Sequence, residues 1–275
     1  MNPSFARLDS RALVRVDGPD WRDFLQSLIS NDVEALAPGA ARFAALLTPQ
    51  GRMLFDLFVI GTEDGCVLDV QAAQRQAVIL RLSMYRLRAK VEIAEVEGRI
   101  VALWGALAGP APPPGWIADP RLEGVGWRGV NLEPPDGAEV LDEDAYDAWR
   151  LGLGVPDPAR DCAPDKTYPI EADFDLLNGI DFKKGCYVGQ ETTSRMKRRG
   201  GIRSRMLPIV FDGPAPAPGS EVLAGALRAG ETLSGRNGRA MALLRLDRIE
   251  GAALTVDGRP VRVDSPAWMA KADAG

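Results

Sequence analysis

The chain has 275 residues, of which 46% are hydrophobic and 26% charged. These are the proportions of an ordinary globular protein and exclude collagen, a coiled coil or wholesale disorder. At about 100–200 residues per domain, the length allows one large domain or two to three small ones. No stretch approaches the ~18 uninterrupted apolar residues of a membrane span. The opening MNPSFARLDSRALVRVDG lacks the apolar core of a secretory signal, so a cytoplasmic protein is expected.

The chain contains no histidine. That removes Ser–His–Asp and Cys–His catalysis and any His-ligated zinc or iron. Three cysteines, Cys66, Cys162 and Cys186, are far apart, and no CxxC occurs. A disulfide framework is not expected, and three scattered thiols do not make a four-ligand zinc or iron–sulfur site. At most one cysteine could contribute to a metal or cluster shared with a partner chain.

In chain order, Leu13–Val16 reads as a strand. A helix starts after Gly18-Pro19-Asp20, its apolar face made by Trp21, Phe24, Leu25, Leu28 and Ile29. Residues 43–60 read as two strands around a Pro-Gln-Gly-Arg turn, and 66–70 as a third. Residues 72–88 read as a helix with Val78, Ile79, Leu82 and Tyr85 on one side. Residues 90–96 and 99–104 return to strand. The Pro-rich run 109–115 breaks the chain, short strands follow, and 142–153 reads as a helix with acids at its N-terminus. After a second Pro-Gly break at 213–219, short strands separated by turns suit a small β-barrel of about 60 residues. The expected fold class is α+β, with an N-terminal region over 1–108, a middle region over 109–205 interleaved with it, and a C-terminal barrel over 206–275.

Charge is uneven. Between Lys183 and Arg205 eight basic residues face Glu191 alone, a net +7, whereas the remaining 25 basic and 37 acidic residues give −12. A cationic segment on an acidic body suits an anionic ligand or an acidic partner, or is simply a solvated basic surface of loop and strand. Inside it lies Cys186, bracketed by Gly185 and Gly189. Lys183, Lys184 and Arg195 are expected around the sulfur, favouring thiolate. The alternative is a structural cysteine in a tight turn.

Lys184-Gly185-Cys186-Tyr187-Val188-Gly189-Gln190-Glu191 resembles the K-G-C-Y-x-G-Q-E signature of the YgfZ family, folate-binding proteins related to the aminomethyltransferase of the glycine cleavage system. Phe24-Leu25-Gln26 to Asn31-Asp32-Val33, Leu47-Thr48-Pro49-Gln50-Gly51-Arg52 with Asp56, and Tyr85 with Leu87-Arg88-Ala89-Lys90-Val91 extend the resemblance over nearly the whole chain. It implies a three-domain ring around a central hole that admits tetrahydrofolate or a derivative. It further implies a role in assembly or repair of iron–sulfur clusters of [4Fe–4S] enzymes, including tRNA-modifying ones, without classical catalysis. Cys186 and Asp56 would be the reactive residues. Asp56, Lys184, Gly185, Tyr187, Gly189, Gln190, Glu191 and Arg195 would bind the cofactor, and Cys186 would ligate a cluster only together with a partner. The implied partners are an A-type iron–sulfur carrier and client enzymes, with no membrane and no nucleic acid, and the chain itself a monomer. The alternative is a folate-dependent aminomethyltransferase centred on Asp56. Against it, the pterin-binding Glu of those enzymes is missing: their R-x-E-A-G reads Arg150-Leu151-Gly152-Leu153-Gly154 here.

Overall fold

The structure, a computed structural model, describes residues 2–105, 113–198 and 200–272. The chain opens with β1 (Ser4–Arg7), β2 (Arg11–Asp17) and helix α1 (Trp21–Gln26), then runs through β3 (Ala41–Leu47), β4 (Met53–Gly61) and β5 (Gly65–Gln71). Helix α2 (Arg75–Arg86) leads to β6 (Glu92–Val96) and β7 (Ile100–Trp104). Next come β8 (Ile117–Ala118), β9 (Trp127–Val130), β10 (Glu139–Leu141) and helices α3 (Glu143–Gly152), α4 (Pro158–Asp161) and α5 (Gln190–Arg198). The last part holds β11 (Ser204–Val210), β12 (Glu221–Ala224), β13 (Leu227–Arg236), β14 (Arg239–Arg245), the single turn α6 (Leu246–Ile249), β15 (Leu254–Val256) and β16 (Arg259–Val263).

These strands form two five-stranded sheets and a barrel. The larger sheet has the order β3-β4-β5-β2-β6 and is antiparallel throughout. Alternation along its strands gives it two apolar faces. Val14, Val16, Ala44, Leu46, Leu57 and Leu68 face helices α1 and α2, while Leu13, Phe43, Ala45, Leu47 and Phe58 face the middle of the molecule. There Phe43 stacks on Phe174 at 4.4 Å and contacts Phe58 at 5.0 Å. Burying each of these rings contributes about 1.5–3 kcal/mol.

The second sheet has the order β10-β1-β7-β9-β8. β1 pairs antiparallel with β7 and parallel with β10, so the first strand of the chain lies among the later ones. Helix α3 packs beside it. The Asp142 carboxylate caps its first turn by accepting from Ala145 N at 2.9 Å, and Glu143 and Asp144 suit the helix dipole. The remaining six strands close into a barrel in the order β11-β14-β13-β12-β15-β16, with β16 pairing back onto β11. The fold is thus the expected α+β class with a C-terminal barrel.

Arg205 ties the barrel to the middle of the chain. Its guanidinium donates to Ile170 O at 2.9 Å, Asp173 Oδ1 at 2.8 Å and both oxygens of Asp175 at 2.9 Å. Part of the Pro-rich run at 109–115 lies outside the described residues. Residues 190–198 are helical, where the sequence suggested only loop and strand. Of this helix only Thr193 is buried, so it carries no apolar period to betray it.

Candidate functional site

The loop that carries Cys186 is held from both sides by backbone contacts. The Asp181 carboxylate accepts from the amides of Lys183 (2.6 Å) and Lys184 (3.1 Å), closing a local turn. Asp181 N donates to Ser30 O, and Val188 N to Ser27 O, which anchors the loop to the segment after α1. Lys184 turns inward: its ammonium donates to Ile29 O at 2.8 Å and Asn31 O at 2.6 Å. Burial lowers its pKa from the ordinary 10.5 to about 8. Tyr187 is buried, with the Lys184 ammonium 5.2 Å from its ring centre.

Two glycines make the close approach possible. Gly189 has φ +83°, and a methyl added there would sit 2.5 Å from Thr48 O. Gly51 has φ +81°, and a methyl there would lie 2.9 Å from Thr192 Cβ. The Thr48–Gly51 turn of the β3–β4 hairpin therefore nests against the cysteine loop and the first turn of α5. Gly185, by contrast, has open space where a side chain would go.

Cys186 is exposed, whereas Cys66 is buried and Cys162 is half-buried with its sulfur 3.8 Å from Met53 Sδ. Burial raises the pKa of both inner thiols. Cys162 is half-buried although polar Arg160 and Asp161 precede it in the chain. Cys186 opens onto a cleft of about 790 Å³ that is also lined by Pro49, Phe182, Tyr187, Gln190, Glu191, Lys197 and Arg198. Lys183, Arg195, Lys197 and Arg198 are exposed. The expected ring of cations is only partly present. Lys184 is committed to backbone carbonyls and Arg205 to buried carboxylates, so two of the eight basic residues are internal braces. Among the described residues no group of three or more carboxylates and thiols could hold a metal ion. Cys186 offers one ligand and no more.

Asp56 is elsewhere. It is buried on β4 and accepts from Arg11 Nη1 at 2.8 Å. Together with Leu8, Phe58, Arg121, Arg128, Tyr146 and Arg150 it lines a cavity of about 50 Å³ between the two sheets, and Cys186 is not among that cavity's residues. At about 10–15 Å³ of probe volume per water, this is room for a few waters. The walls are an ion-pair lattice. Arg11 bridges Asp56 and Asp69. Arg128 joins Asp69 (2.5 Å) to Asp119 (3.6 Å), and Arg121 donates to Asp119 and the Tyr146 hydroxyl. Arg150 Nε donates to Asp147 at 2.7 Å, and Arg160 and Arg236 converge on the same carboxylate. The pKa of Asp119 is lowered: burial opposes ionisation, but Arg121 and Arg128 outweigh it.

The acceptors of this cavity are partly engaged. Asp56 Oδ2, Asp147 and Asp157 are bonded to guanidinium groups, and Glu143 accepts from the amide and hydroxyl of Ser10. Gly152 stands where the aminomethyltransferases carry their pterin-binding Glu, with open space where its side chain would start. Asp56 and the signature residues Cys186, Tyr187, Gly189, Gln190 and Glu191 line separate cavities.

Residues 8–112 match the GCVT N-terminal domain family, and residues 203–271 match the C-terminal β-barrel domain of CAF17. The iron–sulfur cluster assembly factor IBA57, mitochondrial, of Homo sapiens is 34% identical over 285 residues, covering 89% of this chain and 78% of the human protein. The chain belongs to the IBA57 family. The mouse IBA57 is 32% identical over the same shares of the two chains, and the IBA57 homologue of Coccidioides immitis is 28% identical, covering 98% of this chain and 78% of its own. Among solved structures, the glycine cleavage system aminomethyltransferase T of Bartonella henselae superposes with a TM-score of 0.77 at 17% identity, covering 97% of this chain and 85% of that one, which establishes the shared fold. The resemblance to YgfZ is thereby refined to the IBA57 branch, a sibling of YgfZ. The cytoplasmic expectation is corrected as well, because the IBA57 relatives are named mitochondrial. No helix among the described residues is long and apolar enough to cross a membrane, a property that names no compartment.

Proposed function

We propose that this chain is an iron–sulfur cluster assembly factor that lends the Cys186 thiolate to a cluster shared with a partner protein. The observation that carries this reading is that Cys186 alone of the three thiols is exposed, on a loop fixed to the large sheet. One thiolate cannot hold a cluster by itself. A partner must supply the remaining ligands, and an A-type carrier is the partner proposed, with [4Fe–4S] enzymes as the eventual recipients. The cluster is cargo here, passed on rather than retained. The proposal rests on the exposed thiol and assigns no step to tetrahydrofolate. The pterin-binding Glu missing at Gly152 argues against aminomethyl transfer by Asp56, whose carboxylate is paired with Arg11.

The test is anaerobic mixing of the protein with a cluster-loaded A-type carrier, followed by visible circular dichroism and size-exclusion chromatography. The wild type is expected to give a co-eluting complex with a new cluster spectrum. Cys186→Ala is expected to give neither while melting as the wild type does. A Cys186→Ala protein that forms the same cluster-containing complex overturns the proposal.

A further inference from the structure

Helix α2 has two apolar faces and uses one. Val78 and Leu82 are buried against the large sheet, with Tyr85 packed beside them. On the other side Leu80, Met84 and Leu87 are 66%, 62% and 88% exposed, and Ala77 continues the line towards the N-terminus. Positions 77, 80 and 84 are separated by three and four residues, a narrow line rather than the broad stripe of a core helix, and Leu87 adds a further exposed apolar side chain just past the last helical residue. Leu87 ends the helix with φ +42° and ψ −104°, a conformation that costs a bulky residue energy and leaves its side chain in water.

The helix and the turn after it carry charge of one sign. From Ala72 to Val91 there are five basic residues, Arg75, Arg81, Arg86, Arg88 and Lys90, and no acid. Arg75 pairs with Glu95 at 2.6 Å. The side-chain nitrogens of the other four have no carboxylate within 4 Å among the described residues. Arg81 borders Leu80 within the helix, and Arg86 and Arg88 stand at and just past its end beside Leu87, so cations flank the seam, where charge selects a partner helix.

We propose that α2 is a docking helix for an amphipathic helix of a partner protein whose own apolar seam is flanked by Asp or Glu. Two copies of this chain meeting through α2 would bring like charges face to face, which disfavours self-association. An anionic lipid surface would answer the charge but not the narrow seam, since a membrane-lying helix needs a wide apolar face rather than a line. The proposal is independent of Cys186.

Fluorescence anisotropy of the full chain with two labelled synthetic peptides tests it. Both peptides carry Leu at heptad positions a and d, and they have either Glu or Lys at e and g. The Glu peptide is expected to bind at least tenfold more tightly than the Lys peptide and to weaken as salt rises towards about 0.5 M, where the screening length is only ~4 Å. Leu80→Ser/Met84→Ser is expected to weaken the Glu peptide at least tenfold, with an unchanged melting curve because both side chains are exposed. Arg81→Glu/Arg88→Glu is expected to reverse the preference, and Cys186→Ala to leave it unchanged. Equal or absent binding of the two peptides overturns the proposal. So does a concentration-dependent dimer lost in the Ser variant, or binding to phosphatidylglycerol vesicles without binding of the Glu peptide.

Discussion

The central cavity and the Cys186 loop are both rich in charged side chains, and they use them in opposite ways. In the cavity Asp56, Asp147 and Asp157 each meet a guanidinium, and Arg11 and Arg128 both pair with the fully buried Asp69 behind it. Around Cys186 the cations Lys183, Arg195 and Arg198 are exposed, and among the described residues their side-chain nitrogens have no carboxylate within 4 Å. The cavity's charges are largely paired with one another, whereas the loop presents surface charge and an exposed thiol.

The contrast breaks most visibly if the lattice is opened. Arg128→Met leaves Asp69 with Arg11 alone and Asp119 with Arg121 alone, so destabilisation of about 3–5 kcal/mol is expected in urea denaturation, the usual cost of removing one partner of a buried ion pair. A loss below about 1 kcal/mol would mean that the lattice is not what holds the two sheets together. The brace under the cysteine loop is worth less. Lys184→Met removes two charge-assisted hydrogen bonds and should cost about 1.5–3 kcal/mol near neutral pH.

This cost has a pH signature. The folded chain holds the Lys184 proton less tightly than the unfolded one, with a pKa of about 8 against 10.5. Between those values the unfolded state binds more protons, so the wild type should gain stability relative to Lys184→Met as pH rises from 8 towards 10.5. Below 8 the difference between the two proteins should be flat. A gap that narrows with rising pH would contradict the inward position of the ammonium. The smallest perturbation only counts thiols. Ellman's reagent should modify one cysteine of the native protein quickly and all three after denaturation, and Cys186→Ser should abolish the fast phase while changing stability by less than about 0.5 kcal/mol.

What the sequence disclosed follows from period and punctuation. The β3–β4 hairpin alternates around a glycine turn, α1 and α3 repeat their apolar residues at helical spacing, and the barrel strands are separated by turns. β1 and β10 are only four and three residues long and pair across more than 130 positions, beyond the reach of any local pattern. Helix α5 escaped because it is polar nearly all round. The direction of Lys184 and the partner of Asp56 were equally hidden. The first depends on carbonyls at Ile29 and Asn31, the second on an arginine 45 residues upstream. Cys186 stood out because its glycines and its signature are contiguous, yet its separation from the Asp56 cavity is a tertiary fact. Likewise, the period in residues 72–88 marked the buried side of α2, while the exposed seam emerged only once the sheet had claimed that side.

The contact between Gly189 and the Thr48–Gly51 turn has one more consequence. Because neither backbone leaves space for a methyl group, the hairpin tip and the sulfur-bearing loop cannot breathe separately, and their amides should exchange with deuterium in a single cooperative opening. Tension applied to the sulfur would then be felt first along β3 and β4, so that pulling on this thiol amounts to pulling on the edge of the large sheet.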